Sequence, residues 1–271
     1  MKRKLIAIDL DGTTLNNQSE ISPLTQRTLK ELSQIGHIIS IVTGRPYRNS
    51  FWYYDQLELN TPMANLNGAF CHHPRYSNWK AAYNRRFSKD IAFSLQSLAK
   101  YPVVELISVE TLDTLYVDRT DFPPNNFVGR HVPKMELLNT ENLIEDPVAI
   151  NIFTQTEDFQ PFVEEQVLNQ FSKEVEVRTW GGTLPCLEIV QAGVQKAMAV
   201  EVIANDYQID REDILAFGDE DNDYEMLQYA GLGVRMQNGI DGLLEVCDDT
   251  TKYSNNEDGL ALYLREYFSL D

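Results

Sequence analysis

The stretch Leu5-Ile6-Ala7-Ile8-Asp9-Leu10-Asp11-Gly12-Thr13 decides how the chain is read. An unbroken apolar run enters an acidic turn that holds a glycine, the pattern of a buried strand ending at its carboxyl edge. Asp9 and Asp11 stand two residues apart, so on an extended chain their side chains point to the same side. One carboxylate can attack while the other handles protons. A carboxylate nucleophile divides one difficult displacement into two easier ones. Two neighbouring anions resist an incoming phosphate, and a divalent cation removes that obstacle; carboxylate and phosphate oxygens suit Mg²⁺. Gly12 lets the chain turn sharply and exposes N–H groups to phosphate oxygens.

Two blander readings compete for this stretch. Asp9, Asp11 and Glu20 fall at the first, third and twelfth positions of a calcium-binding EF-hand loop. Yet the sixth position, which needs glycine, is Thr14, and a strand rather than a helix precedes the loop. A purely structural acidic turn is the other alternative for these residues taken alone.

Working outward, Ser22-Pro23 supplies an N-cap with proline at the first helical position, and Gly36 ends the helix. Ile38–Val42 reads as a second buried strand ending in Thr43-Gly44-Arg45, Pro46 opens a helix through about Leu57, and Met63–Leu66 is a third strand ending in Asn67-Gly68-Ala69. This βαβαβ opening predicts an α/β fold with a Rossmann-like, doubly wound parallel sheet. From about Tyr83 to Ile189 the rhythm changes to dense short strands with two helical stretches, Ser88–Lys100 and Glu157–Gln170. That pattern predicts an inserted α+β domain built on an antiparallel sheet. The α/β rhythm then returns with a helix at 194–205, the strand Ile214–Phe217 running into Gly218-Asp219-Glu220-Asp221-Asn222-Asp223, a strand at 232–236 and a last helix at 257–268. The expected organisation is a core of 1–82 and 190–271 split by a cap of 83–189.

Composition narrows the function classes. With 23 basic and 41 acidic residues in 271, the formal charge of −18 opposes binding to nucleic acid or anionic membranes. The apolar run after Met1-Lys2-Arg3-Lys4 is cut by Asp9 and Asp11, too short for a signal peptide, and nothing approaches a membrane span. Three distant cysteines, Cys71, Cys186 and Cys247, show neither zinc nor disulfide spacing. These features predict a cytoplasmic protein. Four consecutive aromatics, Phe51 to Tyr54, cannot share one helix face and hint at self-association, so a monomer or weak homodimer is expected.

In an open parallel sheet, ligands bind beyond the carboxyl ends of the strands. The acidic and hydroxylic residues gather at such ends: Asp9 and Asp11, Thr43, and Asp219 to Asp223. Thr43-Gly44 offers a hydroxyl and free amides to a phosphate. Lys196, near a helix start, can set an ammonium against a phosphoryl group, although a surface lysine is the simpler reading of it alone. Asp219, directly at its strand end, reads as a metal ligand. Asp221 and Asp223 divide evenly between metal shell and helix N-cap.

Taken in order, Asp9-Leu10-Asp11-Gly12-Thr13, Thr43-Gly44-Arg45, Asn67-Gly68-Ala69, Gly193-Val194-Gln195-Lys196 and Gly218 to Asp223 resemble the haloacid dehalogenase superfamily, and within it the Cof-type phosphatases with a type IIB cap. The resemblance implies that Asp9 is the nucleophile and a Mg²⁺ ligand. It implies that Asp11 is the general acid/base with its backbone carbonyl on the metal. Leu10, Thr43, Gly44, Lys196 and Asn222 would bind the phosphoryl group, and Asp219 would ligate Mg²⁺. Arg178 and Trp180, before Gly181-Gly182 in the presumed cap, could read a leaving group; a surface charge and a packing aromatic are the simpler alternative. The histidines His37, His72, His73 and His131 show no metal spacing.

The expected function is Mg²⁺-dependent hydrolysis of a small phosphorylated metabolite, such as a sugar phosphate or phosphorylated cofactor. A phosphomutase of the same superfamily is the nearest rival. A non-catalytic metabolite-binding regulator on the same scaffold is the rival from another class.

Overall fold

The structure is a computed structural model, and it describes residues 2–121, 134–180 and 184–270. The chain forms two compact units, one of residues 1–83 with 195–271 and one of residues 84–194. The first segment contributes β1 (Leu5–Ile8), α1 (Pro23–Gln34), β2 (Ile38–Ile41), α2 (Phe51–Gln56), β3 (Met63–Asn65), β4 (Phe70–His72) and β5 (Tyr83–Asn84). The middle contributes α3 (Lys89–Gln96), β6 (Val104–Glu110), β7 (Thr114–Val117), β8 (Lys134–Leu137), β9 (Ala149–Thr154), α4 (Gln160–Phe171), β10 (Val175–Thr179) and β11 (Cys186–Gln191). The last part contributes α5 (Lys196–Asp206), β12 (Ile214–Gly218), α6 (Tyr224–Tyr229), β13 (Leu232–Arg235), β14 (Asp249–Thr250) and α7 (Gly259–Phe268).

In the first unit the strand order is β14-β13-β12-β1-β2, every pair parallel. β1 lies between β12 and β2, which is why its residues are apolar on both faces. Ile6 and Ile8 pack with α1 and α7, whereas Leu5 and Ala7 pack with α5 and α6. This period of two puts one helical layer on each face of the sheet. The third expected strand, β3, joins this sheet only through a parallel bridge between Val42 and Ala64, and otherwise pairs antiparallel with β4. The predicted helix after Pro46 is also broken. Ser50 leaves helical geometry at φ −130°, and its hydroxyl oxygen accepts from Asn65 Nδ2 at 2.8 Å, so α2 starts only at Phe51.

α1 forms as the sequence predicts, with Ser22 Oγ accepting from Thr25 N at 3.0 Å. Tyr53 and Tyr54 of α2 are buried in the core, while Phe51 and Trp52 stay half-buried with their rings 4.2 Å apart. His37 is a buried structural residue whose Nδ1 accepts from Lys4 N at 3.1 Å. His131 and Gly181-Gly182 lie outside the described residues.

The second unit holds a six-stranded sheet in the order β10-β11-β9-β6-β7-β8. Its first four pairings are antiparallel, but β7 and β8 run parallel, and no strand was expected at β8. Residues 118–133 separate these two strands, long enough for the crossover that parallel neighbours require. β11 runs to Gln191, past the 189 boundary read from sequence, and the unit ends at Val194. Ile107, Val109, Ile150, Ile152, Leu187 and Ile189 pack against α3 and α4 on one face of the sheet.

Candidate active site

Three adjacent parallel strands, β12, β1 and β2, deliver their carboxyl ends side by side. Ile8 is level with Phe217 and with Ile41, and Asp9 N continues the ladder to Phe217 O at 3.1 Å. Asp9 is therefore level with Gly218, and Asp219 follows one residue beyond on the neighbouring strand's end. Asp9, Asp219 and Asp223, all buried, place one carboxylate oxygen each within 4.8 Å of one another.

Lys196 opens α5 and is wholly buried, which a lysine tolerates only with partners. Its Nζ donates to Asp9 Oδ1 and to Asp223 Oδ1, both at 2.7 Å. Burial alone would lower its pKa, but the facing carboxylates of Asp223 and Asp9 outweigh that and raise it, so it stays charged. Asp223 is spent on structure as well: its Oδ2 accepts from Asp219 N at 2.9 Å and Glu220 N at 3.2 Å. Asp223 thus ties Lys196 to the Asp219 loop while its carboxylate stands with those of Asp9 and Asp219. Asp221 is exposed.

Three carboxylates face one ammonium here. Burial pushes the Asp9 carboxyl up to about 7, opposed by Lys196 and assisted by Asp223 and Asp11. Burial, then Asp9 and Asp223, also raises Asp219 well above the usual carboxylate range. Asp9 uses Oδ1 on Lys196, and Asp219 uses Oδ1 on the Thr13 hydroxyl at 2.7 Å. Each keeps a second oxygen that no hydrogen bond from a described residue occupies. A compact, oxygen-only, buried and under-neutralised donor set fits a hard divalent cation.

Gly12 shapes this arrangement. Its φ is +69°, and a side-chain carbon there would lie 1.9 Å from Asp219 Oδ2. Only glycine leaves room for that carboxylate. Leu10 is fully buried in the core, and its carbonyl accepts from Leu15 N at 2.8 Å to close the turn.

Asp11 stands on the exposed side of the turn. Its side chain is 57% exposed, and Arg45 holds it through Nε to Oδ2 at 2.7 Å and Nη2 to Oδ1 at 2.5 Å. Asp11 still lies near enough to raise the Asp9 carboxyl by its charge.

Thr43 is buried, and its Oγ1 accepts from Arg45 N at 3.1 Å. Gly44 follows it. Asn67 N donates to Thr43 O at 3.2 Å, and Asn222 Nδ2 donates to Asn67 Oδ1 at 2.9 Å. Three loops, those after β2, β3 and β12, are thereby tied together. Asn67 was read as part of a motif without a role; its φ of +54°, unusual for a residue other than glycine, belongs to that tie.

In the second unit, Trp180 packs edge-on to Phe153 at 5.8 Å, and Arg178 Nη2 donates to Val194 O at 3.2 Å. Sequence reasoning missed a row beside them. Arg178, Glu188, Asn151 and Ser108 are level across β10, β11, β9 and β6. The last three are buried on the sheet face opposite α3 and α4. The signal was present: each of these three sits as a lone polar residue between two apolar ones in its strand.

Residues 6–264 match the haloacid dehalogenase-like hydrolase family. The chain belongs to that family. Within it, the chain is of the Cof type and is a phosphoric monoester hydrolase. The 5-amino-6-(5-phospho-D-ribitylamino)uracil phosphatase YitU of Bacillus subtilis is 39% identical over 99% of both chains. A second protein of that name from the same organism, YwtE, is 28% identical over 98% of both. Among solved structures, a haloacid dehalogenase-like hydrolase from Bacteroides thetaiotaomicron shares the fold with a TM-score of 0.85, at 23% identity over 98% of this chain and 100% of that one. The haloacid dehalogenase fold thus accounts for both the parallel sheet and the separate second unit. Among the described residues no helix is long and apolar enough to cross a membrane.

Proposed function

We propose that this haloacid dehalogenase-like hydrolase cleaves a small phosphorylated metabolite with Mg²⁺, through an aspartyl-phosphate on Asp9. The observation that carries the reading is the buried meeting of Asp9, Asp219, Asp223 and Lys196 at the ends of adjacent strands. Asp9 and Asp219, with the Asp11 backbone carbonyl, would hold the cation. When bound, Mg²⁺ supplies the positive charge that lets a phosphate dianion approach carboxylates.

Asp9 attacks phosphorus with one carboxylate oxygen while the bond to the leaving oxygen breaks. Lys196, held charged by its two partners, keeps Asp9 oriented and offsets the charge spread over the phosphoryl oxygens. Amides of Leu10 and Gly44, the Thr43 hydroxyl and Asn222 would grip those oxygens. Asp11 gives a proton to the leaving oxygen and then takes one from the water that hydrolyses the acyl-phosphate. In that role Arg45 would orient the Asp11 carboxyl through its two-armed hold.

The unit 84–194 would act as the cap that selects the leaving group, with Arg178 and Trp180 as candidate recognition residues. The similarity to YitU makes a phosphorylated ribitylaminouracil the first substrate to assay, in a cytoplasmic setting. The test is phosphate release from that compound and a panel of phosphomonoesters with and without Mg²⁺. An Asp9→Asn protein that retains the Mg²⁺-dependent rate overturns the mechanism.

A further inference from the structure

The segment 234–239, Val-Arg-Met-Gln-Asn-Gly, closes β13 with an arginine in the sheet and a tight turn after it. Arg235 is 8% exposed, far more buried than an arginine usually is. Its ion-pair partner does not explain this, because Asp241 is 3.4 Å away and its side chain 96% exposed. An ion pair so placed contributes little. The guanidinium is instead spent on the turn's own backbone: Nε donates to Ile240 O at 2.9 Å, and Nη2 donates to Gly239 O.

What the turn touches gives the arginine its meaning. Ile240 N donates to Asp219 O at 2.9 Å, and Met236 N donates to Gly218 O at 2.9 Å. A side-chain carbon at Gly239 would lie 3.0 Å from the Asp219 Cα, so the turn is pressed against that residue. From the same turn, Asn238 Nδ2 donates to Gly12 O at 2.8 Å. Asn238 is itself oriented by Asn255 N, which donates to its Oδ1 at 2.9 Å, and Asn255 Nδ2 reaches Leu15 O at 2.8 Å. One turn therefore holds the backbone of Asp219 and the carbonyl of Gly12, in the loops after β12 and β1 whose carboxylates must keep their spacing.

We propose that Arg235 and Asn238 are positioning residues for the cation site: Arg235 staples the turn 236–240, and Asn238 links it to the Gly12 loop, so that Asp219 and Asp9 stay at binding distance. The inference rests on the reading of Asp9 and Asp219 as cation ligands. Mg²⁺ tolerates little change in ligand spacing, and loss of a supporting hydrogen bond costs roughly 10–100-fold in affinity at metal sites.

The test is Mg²⁺ binding by isothermal titration calorimetry to the full chain, wild type, Asn238→Ala and Arg235→Met, with the melting temperature taken alongside. Asn238 is exposed, so its alanine variant should fold. The expected result is at least a tenfold weaker Mg²⁺ affinity for Asn238→Ala with its metal-free melting temperature within a few degrees of wild type. Arg235→Met should weaken binding similarly, and Arg235→Lys should recover only part, because one ammonium cannot reach both carbonyls as a fork. Unchanged Mg²⁺ affinity in Asn238→Ala overturns the proposal. An Asp219→Asn control separates the two readings: if it binds Mg²⁺ as wild type does, the assignment of the cation site is at fault rather than the bracket.

Discussion

Arg45 holds the carboxylate of Asp11 with both arms of its guanidinium, Nε to Oδ2 and Nη2 to Oδ1, while the Arg45 carbonyl is itself fixed by Asn65 Nδ2 at 2.8 Å. The ring of Tyr53 lies 5.4 Å from the guanidinium carbon. A planar fork so anchored sets the direction of the carboxylate it meets. The residue expected to move protons is thus held by a side chain from a different strand end.

This relationship predicts a dependence on the leaving group. Arg45→Ala frees an exposed Asp11 to sample several rotamers, and proton transfer to the leaving oxygen becomes less efficient. For an alkyl phosphate, kcat should fall about 10-fold or more. For p-nitrophenyl phosphate, whose leaving group needs no proton, it should change little. Asp11→Asn should show the same contrast more steeply, on the order of 100-fold or more for the alkyl ester. Steady-state kinetics on the two ester classes checks both, and an equal loss on both would count against proton handling by Asp11.

Cation binding should release protons. Burial holds the Asp9 carboxyl at about 7 in the metal-free protein, so near pH 7 about half of it is protonated, whereas a cation requires the carboxylate. Mg²⁺ binding at pH 7 should then release about half a proton from Asp9. Affinity should rise between pH 6 and 8 and level off above. Calorimetry in buffers of differing ionisation enthalpy measures the proton count directly.

Gly12→Ala tests the close approach at the nucleophile turn. The new methyl group would occupy the position of Asp219 Oδ2, and a residue other than glycine at φ +69° adds strain of about 1 kcal/mol. Asp219 must turn away, and the expected outcome is a loss of roughly 100-fold or more in kcat/KM. Urea unfolding should report only about 1–2 kcal/mol, because the turn lies beyond the carboxyl ends of the strands and not within the sheet's layers.

His72 predicts an acid-side instability. Burial, with a smaller contribution from His73, lowers its pKa from 6.5 to about 4. The unfolded chain therefore takes up the proton before the folded one does. Stability from this group is full above about pH 6.5 and is lost as the pH falls through 6.5 towards 4. The loss should be on the order of 2 kcal/mol. Its ring stacks on Phe70 at 4.0 Å and its Nε2 lies 3.1 Å from Asn65 Oδ1, so His72→Gln is the informative variant. Urea midpoints between pH 4 and 8 should show a shallower acid limb in His72→Gln than in wild type.

Much of the first unit was legible because its signals are local. Leu5–Ile8 and Ile214–Phe217 are short, unbroken apolar runs, and Ser22-Pro23 marks a helix start; both patterns need only near neighbours to be read. The parallel pair at β7 and β8 was illegible because the alternation of Lys134-Met135-Glu136-Leu137 is only four residues long, and its residues are half-buried or exposed. The short strand β14 pairs along only two residues, too few for any pattern.

By itself the sequence determined which groups stand at the strand ends: a carboxylate pair at Asp9 and Asp11, a hydroxyl at Thr43, and an acidic run from Asp219. Tertiary structure decided what each group does there. Lys196 meets Asp9 across 187 positions, and Asn238 meets Gly12 across 226. Contacts of that kind leave no period or spacing in the chain, since they are fixed by strand order and register. The same closure buried Asp223 beneath Lys196 and left Asp11 outside in the grip of Arg45. Burial and charge depend on what surrounds a residue in space, and that exists only once the sheet has assembled.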